Sequence, residues 1–268
     1  MTLSPDQIEI LTRFAGRLAD ASGAVILPYF RTEMPVDDKA DLWGGAKGYD
    51  PVTEADRNAE AAIRALIEAE YPGHGILGEE HGEKKGTEPF TWVLDPIDGT
   101  RAFITGLPLW GTLIALNDGT KPVVGVMDQP FTKERYIGNP AGAFLDGRRL
   151  KTRACPSLAH ARLMTTSPHL FRTEEDRAAF ERVAAKAQLV RYGGDCYAYA
   201  MIAAGQVDVV VETGLEAYDI QALIPIVEGA GGRVTSWEGG GCQHGGRVLA
   251  TGDARLHDEI LALLRPQP

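Results

Sequence analysis

Hydrophobic positions change rhythm twice along this chain. Near the start, Ile8, Leu11, Ala15 and Leu18 recur at helical spacing after Ser4-Pro5-Asp6-Gln7. That tetrapeptide offers an N-cap serine, a proline at the first helical position and a glutamine at the capping-box position, so a packing helix is expected. A second helix is expected over Thr53 to Glu70, where Ala59, Ile63, Leu66 and Ile67 mark one face. The rhythm then shortens. His74 to Gly78 reads as a strand end, and Phe90 to Leu94 as a buried strand that stops at Pro96. Leu113 to Leu116, Val123 to Met127 and Arg135 to Gly138 are short apolar runs parted by Asn-Asp-Gly and Gln-Pro turns, which predicts antiparallel strands. Asp146-Gly147 is a hairpin-type turn.

From about Leu150 strands and helices alternate. A strand over Leu163 to Thr166 precedes a helix over Thr173 to Ala187, with Thr173 as cap and Asp176 at the third position. Strand Leu189 to Tyr192, helix Cys196 to Ala204 and strand Val207 to Glu212 follow. Helix Ile220 to Ala230, strand Val248 to Thr251 and helix Ala254 to Leu264 complete the chain. This alternation predicts an α/β half, 149–268, after a mixed α+β half, 1–148. Asp37 to Tyr49 lacks periodicity and reads as a surface loop, either a lid ahead of Asp56 or an inert connection. Gly239-Gly240-Gly241 reads as a flexible turn.

Charge narrows the partners. The 268 residues carry 27 Lys and Arg against 37 Asp and Glu, a formal charge of −10. This balance argues against nucleic acid or an anionic membrane as a partner. It would also repel a phosphorylated substrate unless bound metals reverse the sign locally. Cys155, Cys196 and Cys242 are odd in number and contain no C-x-x-C pair, which disfavours a disulfide scaffold or thiolate zinc site and suits a reducing cytosol. No export signal opens the chain and no apolar run reaches membrane-spanning length, so a soluble cytoplasmic protein is expected.

Chemistry concentrates in Trp92-Val93-Leu94-Asp95-Pro96-Ile97-Asp98-Gly99-Thr100. Asp95 and Asp98 are too close to ionise comfortably together unless a cation sits between them. Mg²⁺ takes carboxylates of this kind and completes its shell with water and substrate phosphate. Gly99 lets the backbone approach a ligand, and N–H groups opening a helix favour an anion. Read alone, the same residues also make an ordinary Asx-rich turn. Upstream, the strand end at Gly78 delivers Glu79 and Glu80. If that strand lies beside the one ending at Leu94, Glu79 meets Asp95 at a shared sheet edge. Asp56 falls in the first turn of a helix, where the dipole favours a negative charge in any case. Asp219, just before an apolar segment, suits a helix N-cap.

Together these residues resemble the inositol monophosphatase family, Mg²⁺-dependent and lithium-sensitive phosphatases whose superfamily includes fructose bisphosphatases. The resemblance runs from about Asp50 to Gly232. Gly78-Glu79-Glu80 matches the family's G-E-E element, and Trp92 to Phe103 fits W-x-x-D-P-[LIVM]-D-G-T-x-x-F. Tyr218-Asp219, followed by Glu228-Gly229-Ala230-Gly231-Gly232, fits the C-terminal element. The resemblance implies a layered αβαβα sandwich with the site between the halves, a homodimer, and two to three Mg²⁺ per site. The first half would then carry most metal ligands, and the second Asp219 and the substrate contacts. It places one ion on Glu79, Asp95 and the Ile97 carbonyl, and a second on Asp95, Asp98 and Asp219. Asp56 with Glu79 would hold a weaker third. Glu79 and Thr100 would orient the attacking water, with Thr100 hydrogen-bonded to Asp56, while the N–H groups of Gly99 and Thr100 grip the phosphate. Gln221 departs from the small residue usual two places after the aspartate.

Within the family the likeness is to the histidinol-phosphate phosphatase branch, at Arg101-Ala102-Phe103, at Gly106 to Thr112 and at Tyr192 to Tyr199. It implies hydrolysis of L-histidinol phosphate, a step of histidine biosynthesis. Asp195 and Glu212 would face the non-phosphate portion beside Asp219, where two carboxylates suit a cation. Taken by itself, Asp195 also suits a helix N-cap. Arg101 would contact phosphate or pair with Asp195 or Glu212. The alternatives are an inositol or sugar monophosphatase and a non-enzymatic regulatory protein of the same fold. His74, His81, His160, His169, His244 and His257 form no zinc-binding pattern and are expected as isolated surface or turn residues. No G-x-S-x-G elbow supports a serine hydrolase.

Overall fold

The computed structural model describes residues 3–33, 35–38 and 51–265. Helix α1 (Pro5–Ile26) opens with the expected box: the Ser4 hydroxyl accepts from Gln7 N–H, and Gln7 Oε1 accepts from Ser4 N–H. Strands β1 (Val36–Asp38) and β2 (Pro51–Thr53) form a small antiparallel ladder. Of the loop expected over 37–49, Asp37 and Asp38 belong to β1 and the remainder lies outside the described residues. Helix α2 (Glu54–Glu70) is opened by Thr53 with Asp56 at the third position. Its Ile63 and Ile67 are fully buried, each contributing about 1.5–3 kcal/mol of transfer free energy.

Eight strands then build one sheet. They are β3 (Gly75–Gly78), β4 (Gly82–Lys84), β5 (Thr91–Asp98), β6 (Gly111–Asn117), β7 (Pro122–Gln129), β8 (Glu134–Asn139), β9 (Gly142–Leu145) and β10 (Arg148–Arg149), with the short helix α3 (Thr100–Ile104) between β5 and β6. The order is β10-β9-β8-β7-β6-β5-β3-β4, antiparallel throughout except where β3 lies parallel to β5. Asp146 and Gly147 take φ of 47° and 80°, as a hairpin turn with two left-handed residues requires.

The remaining elements are β11 (Arg162–Thr165), α4 (Glu174–Ala184), β12 (Leu189–Tyr192), α5 (Cys196–Ala203), β13 (Val209–Leu215), α6 (Ala217–Ile220), α7 (Leu223–Gly229), β14 (Arg233–Ser236), β15 (Gly246–Thr251) and α8 (Ala254–Leu264). Their five strands pair in the order β12-β11-β13-β15-β14, parallel at the first two joins and antiparallel at the last two. Alternation along the strands sorts the core into three slabs. Trp92, Leu94, Ile114 and Leu116 face α1 and α2, whereas Val93, Leu113 and Ala115 face α5 and α7. Val210, Val248 and Ala250 meet α5 and α7 from the other side, and Val209, Val211 and Leu249 pack under α4 and α8. The result is the αβαβα sandwich expected.

Several local expectations are corrected. The strand begun at Thr91 does not stop at Pro96 but continues to Asp98 through a bulge, since Asp95 pairs with Leu113 and Asp98 with Gly111. A proline has no N–H to give a ladder, and a bulge removes the need for one. The helix expected over Ile220 to Ala230 is two helices, α6 and α7. Gln221 between them is buried, accepting from Asn117 and donating to the Gln243 carbonyl. His74 and His257 are buried rather than on surface turns. His74 Nδ1 accepts from Trp92 Nε1–H, and the His257 ring sits between the Thr235 and Thr251 hydroxyls, with burial pressing its pKa down to about 4. Strands β4 and β14 had no sequence signal strong enough to predict them.

Candidate active site

Carboxylates from three elements converge where the two sheets face each other. In a regular strand, residues three apart point to opposite faces. The bulge in β5 inserts one residue between Asp95 and Asp98 relative to Leu113 and Gly111 of β6, so both aspartates turn to the same side. Parallel pairing of β3 with β5 sets Gly78 beside Leu94, and Glu79 N–H donates to the Leu94 carbonyl at 3.2 Å. Glu79 thereby reaches Asp95, close enough for a hydrogen bond between the two carboxyl groups. The third element is α6, where Asp219 sits at the third helical position and not at the cap. Its Oδ2 accepts from Glu216 N–H at 2.7 Å. One oxygen from each of Asp95, Asp98 and Asp219 lies within 4.8 Å of the others.

The turn bearing Glu79 is braced from below. Glu60 of α2 is fully buried and accepts from Glu80 N–H at 2.7 Å, His81 N–H at 3.2 Å and Arg64 Nε at 2.7 Å. A Cβ on Gly78 would stand 2.0 Å from Glu60 Oε1, so any side chain there requires Glu60 to shift. Asp95 Oδ1 accepts from Ile97 N–H at 3.0 Å. Asp98 Oδ2 accepts from Cys196 N–H at 2.6 Å, tying the first sheet to the start of α5. Gly99 takes φ of 88°, and a Cβ there would come within 2.8 Å of the Leu109 carbonyl.

Burial is the largest cause of raised pKa throughout the group. Asp95 is held well above the usual carboxylate range by burial, then by the charges of Glu79, Asp98 and Asp219. Asp98 is raised likewise by burial, then by Asp195 and Asp219. Asp219 is pushed up to about 8 by burial, with Glu79 and Glu212 adding to it. The cavity they share measures about 190 Å³, and among the described residues six carboxyl groups line it against one guanidinium, that of Arg101. Hard oxygen donors converging with so little positive charge are the donor set that divalent cations take, so the residues fit Mg²⁺.

The structure brings Glu79, Asp95, Ile97, Asp98, Gly99, Thr100, Arg101, Asp195, Glu212 and Asp219 to this cavity. Asp56 is not among its lining residues: it is buried at the start of α2, where its Oδ2 accepts from Thr53 N–H and Oγ1–H. The Thr100 hydroxyl donates to the Ile97 carbonyl at 3.1 Å instead of to Asp56, because the left-handed turn at Gly99 folds it back on its own strand. Asp195 occupies the cap position of α5 at φ 45° but makes no side-chain capping bond. Burial and the neighbouring Glu212 push its carboxyl up to about 7, with Arg101 opposing them. Glu212 Oε1 accepts from Thr166 N–H at 2.8 Å and Oγ1–H at 2.6 Å, and its Oε2 from Tyr199 O–H at 2.9 Å. Thr166 and Tyr199 escaped the sequence reading. Tyr199 lies one helical turn beyond Asp195, but its hydroxyl bonds Glu212 of β13, a partner that spacing along α5 does not indicate.

Comparison with known proteins agrees with this arrangement. Residues 7–267 match the inositol monophosphatase family. The chain is 45% identical over 274 residues to the chloroplastic bifunctional phosphatase IMPL2 of Arabidopsis thaliana, covering 98% of this chain and 77% of that protein. It is 37% identical to a histidinol-phosphatase of Mycobacterium tuberculosis, covering 87% of this chain and 88% of the relative. The solved structure of an inositol monophosphatase from Zymomonas mobilis superposes with a TM-score of 0.85 at 43% identity, covering 96% of this chain and 98% of that one. With the acidic cavity in place between its two sheets, the chain belongs to the inositol monophosphatase family and is a phosphatase of that family.

Proposed function

We propose that this phosphatase hydrolyses L-histidinol phosphate to L-histidinol and phosphate. The observation that carries the reading is the pair Asp195 and Glu212 on the cavity wall beyond the Asp95, Asp98 and Asp219 group. Carboxylates in excess of those needed for metal suit a substrate whose alcohol portion is cationic. Similarity to a histidinol-phosphatase supports it. A specific observation favours a second reading, an inositol or polyol monophosphatase. Glu212 already accepts hydroxyl donors from Thr166 and Tyr199, and a polyol would offer more of the same.

The family is Mg²⁺-dependent in general, and in the proposal Glu79, Asp95 and the Ile97 carbonyl would hold one cation, and Asp95, Asp98 and Asp219 a second. By the family resemblance a third would draw on Glu79 and Asp56. Bound cations supply charge neutralisation for the phosphate and a more acidic water. Glu79 accepts a proton from the attacking water, and the Thr100 hydroxyl fixes that water's direction. Gly99 and Thr100 N–H groups hold phosphate oxygens, and Arg101 balances the charge of Asp195. As water oxygen bonds to phosphorus, the ester P–O bond breaks and the departing alcohol takes up a proton. Three buried free thiols suit a cytoplasmic setting, and the family resemblance supports a homodimer. Among the described residues no helix is long and apolar enough to cross a membrane.

A substrate panel tests the assignment. Histidinol phosphate should exceed inositol 1-phosphate in kcat/KM, and the reverse order overturns the substrate while leaving the phosphatase. Asp195→Asn keeps a residue type that tolerates φ 45°. It removes a charge-assisted bond of about 1.5–3 kcal/mol, so KM for histidinol phosphate should rise about ten- to a hundredfold. Turnover of p-nitrophenyl phosphate, which has no cation, should change little.

A further inference from the structure

A second cavity of about 630 Å³ opens beside the acidic one and shares Arg101, Thr166, Leu170 and Asp195 with it. The acidic cavity alone, at about 190 Å³, is below the roughly 300–1,000 Å³ usual for small-molecule sites. A phosphate seated there leaves little room for a ring-bearing alcohol, and the neighbouring cavity adjoins it at Asp195. The outer cavity differs in character. Leu107 and Leu109 line it while 54% and 36% exposed, and Leu170 lines it too.

Those leucines are exposed on a fixed loop. Leu107 N–H donates to the Ala102 carbonyl at 2.9 Å, Arg31 Nε to the Gly106 carbonyl at 3.0 Å, and Gln129 Nε2 to the Trp110 carbonyl at 2.9 Å. Gly106 takes φ of 74° to make the turn. Leu170 is fixed as well, its carbonyl accepting from the Thr213 hydroxyl at 3.0 Å. Apolar side chains held toward water next to a polar site mark a binding surface more than a packing accident.

We infer that this outer cavity is a subsite for an apolar or aromatic ring on the substrate's alcohol, gripped between Leu107, Leu109 and Leu170. It deepens the proposed reading, on which Asp195 takes the cationic part of the alcohol, and it selects phosphomonoesters whose alcohol carries a ring beyond that point. Leu107 and Leu109 are then specificity-determining residues that leave the hydrolytic chemistry alone.

The test uses two uncharged alcohols, ethyl phosphate and 2-phenylethyl phosphate, with the Mg²⁺-loaded enzyme and with a Leu107→Ser/Leu109→Ser variant. The native enzyme should prefer the phenylethyl ester by about tenfold in kcat/KM, equivalent to about 1.4 kcal/mol. In the variant the preference should collapse toward unity through KM, with ethyl phosphate turnover within about twofold of native. A native ratio near one overturns the inference, as does a ratio unchanged by the substitutions or an equal loss on both esters. Because neither ester carries a cation, the outcome is separate from the histidinol and inositol comparison. A ring preference alongside better inositol phosphate turnover would retain the subsite and sink the substrate assignment, and the converse result would do the opposite.

Discussion

Without magnesium, the stability of this protein should fall as pH rises through neutrality. Asp219 is pushed up to about 8 from an ordinary 3.8, chiefly by burial, and Asp95 and Asp98 are raised for the same reason. The unfolded chain releases such protons near pH 4, whereas the folded chain keeps that of Asp219 until about 8. Between those values the folded state binds more protons, so each one retained lowers stability by about 1.4 kcal/mol per pH unit. Lowering the pH stabilises, and stability is lost as pH climbs through the folded value. His257, pressed down to about 4 from 6.5, tilts stability the other way only below about 6.5. The informative window is therefore about pH 6.5 to 8.

For a chain of this size 1 kcal/mol moves Tm by about 2–4 °C. One retained proton then corresponds to about 3–6 °C per pH unit. Thermal unfolding followed by circular dichroism, in chelator and in excess Mg²⁺, reads this directly. Cation binding displaces the protons, so the slope should flatten with Mg²⁺ and the stabilisation by Mg²⁺ should grow with pH. Asp219→Asn removes one titrating group, and its slope in chelator should be shallower by about 1.4 kcal/mol per pH unit. A chelated native protein whose Tm is flat or rises across the window, with the variant running parallel, would refute the reasoning.

Asp98→Asn should lose more activity than the roughly 10–100-fold typical of outer-shell partners at metal sites. Its amide oxygen can still accept Cys196 N–H, so the circular dichroism spectrum should match native, and near-native turnover would count against Asp98 as a ligand. Gly78→Ala should cost about 1–3 kcal/mol by overpacking, since the new Cβ would stand 2.0 Å from Glu60 Oε1. Urea denaturation measures it, and a change within about 0.5 kcal/mol would show that Glu60 moves aside freely.

Much of the fold could be read from local chemistry. The Ser4 and Thr173 caps fall where the sequence puts them, and both outer slabs follow from helical and alternating apolar positions. The meeting of Glu79 with Asp95 depends on their strands lying side by side, which the parallel pairing of β3 with β5 supplies. Other features depend on partners distant in sequence. Proline is a sound stop signal, and β5 passes Pro96 only because β6 accommodates the bulge. His257 is buried through two threonines contributed by β14 and β15. Asp219 suits a helix N-cap by sequence, and it stands at the third position because Glu216 caps a helix of four residues. The hold of Thr166 and Tyr199 on Glu212 joins β11, α5 and β13, and no local pattern announces it.

The bulge in β5 also has a hereditary consequence. Exposed loops of this chain can gain or lose a residue at little cost, because closing a slightly longer loop changes the entropy only weakly. Between Asp95 and Asp98 length is quantised. Deleting one residue would restore even pleating against Leu113 and Gly111, while adding one would lengthen the bulge, and each would re-aim an aspartate relative to its neighbour. Pro96 and Ile97 can drift in identity within the limits of their packing, but their number cannot. Divergence at this position must proceed by replacement and never by insertion or deletion.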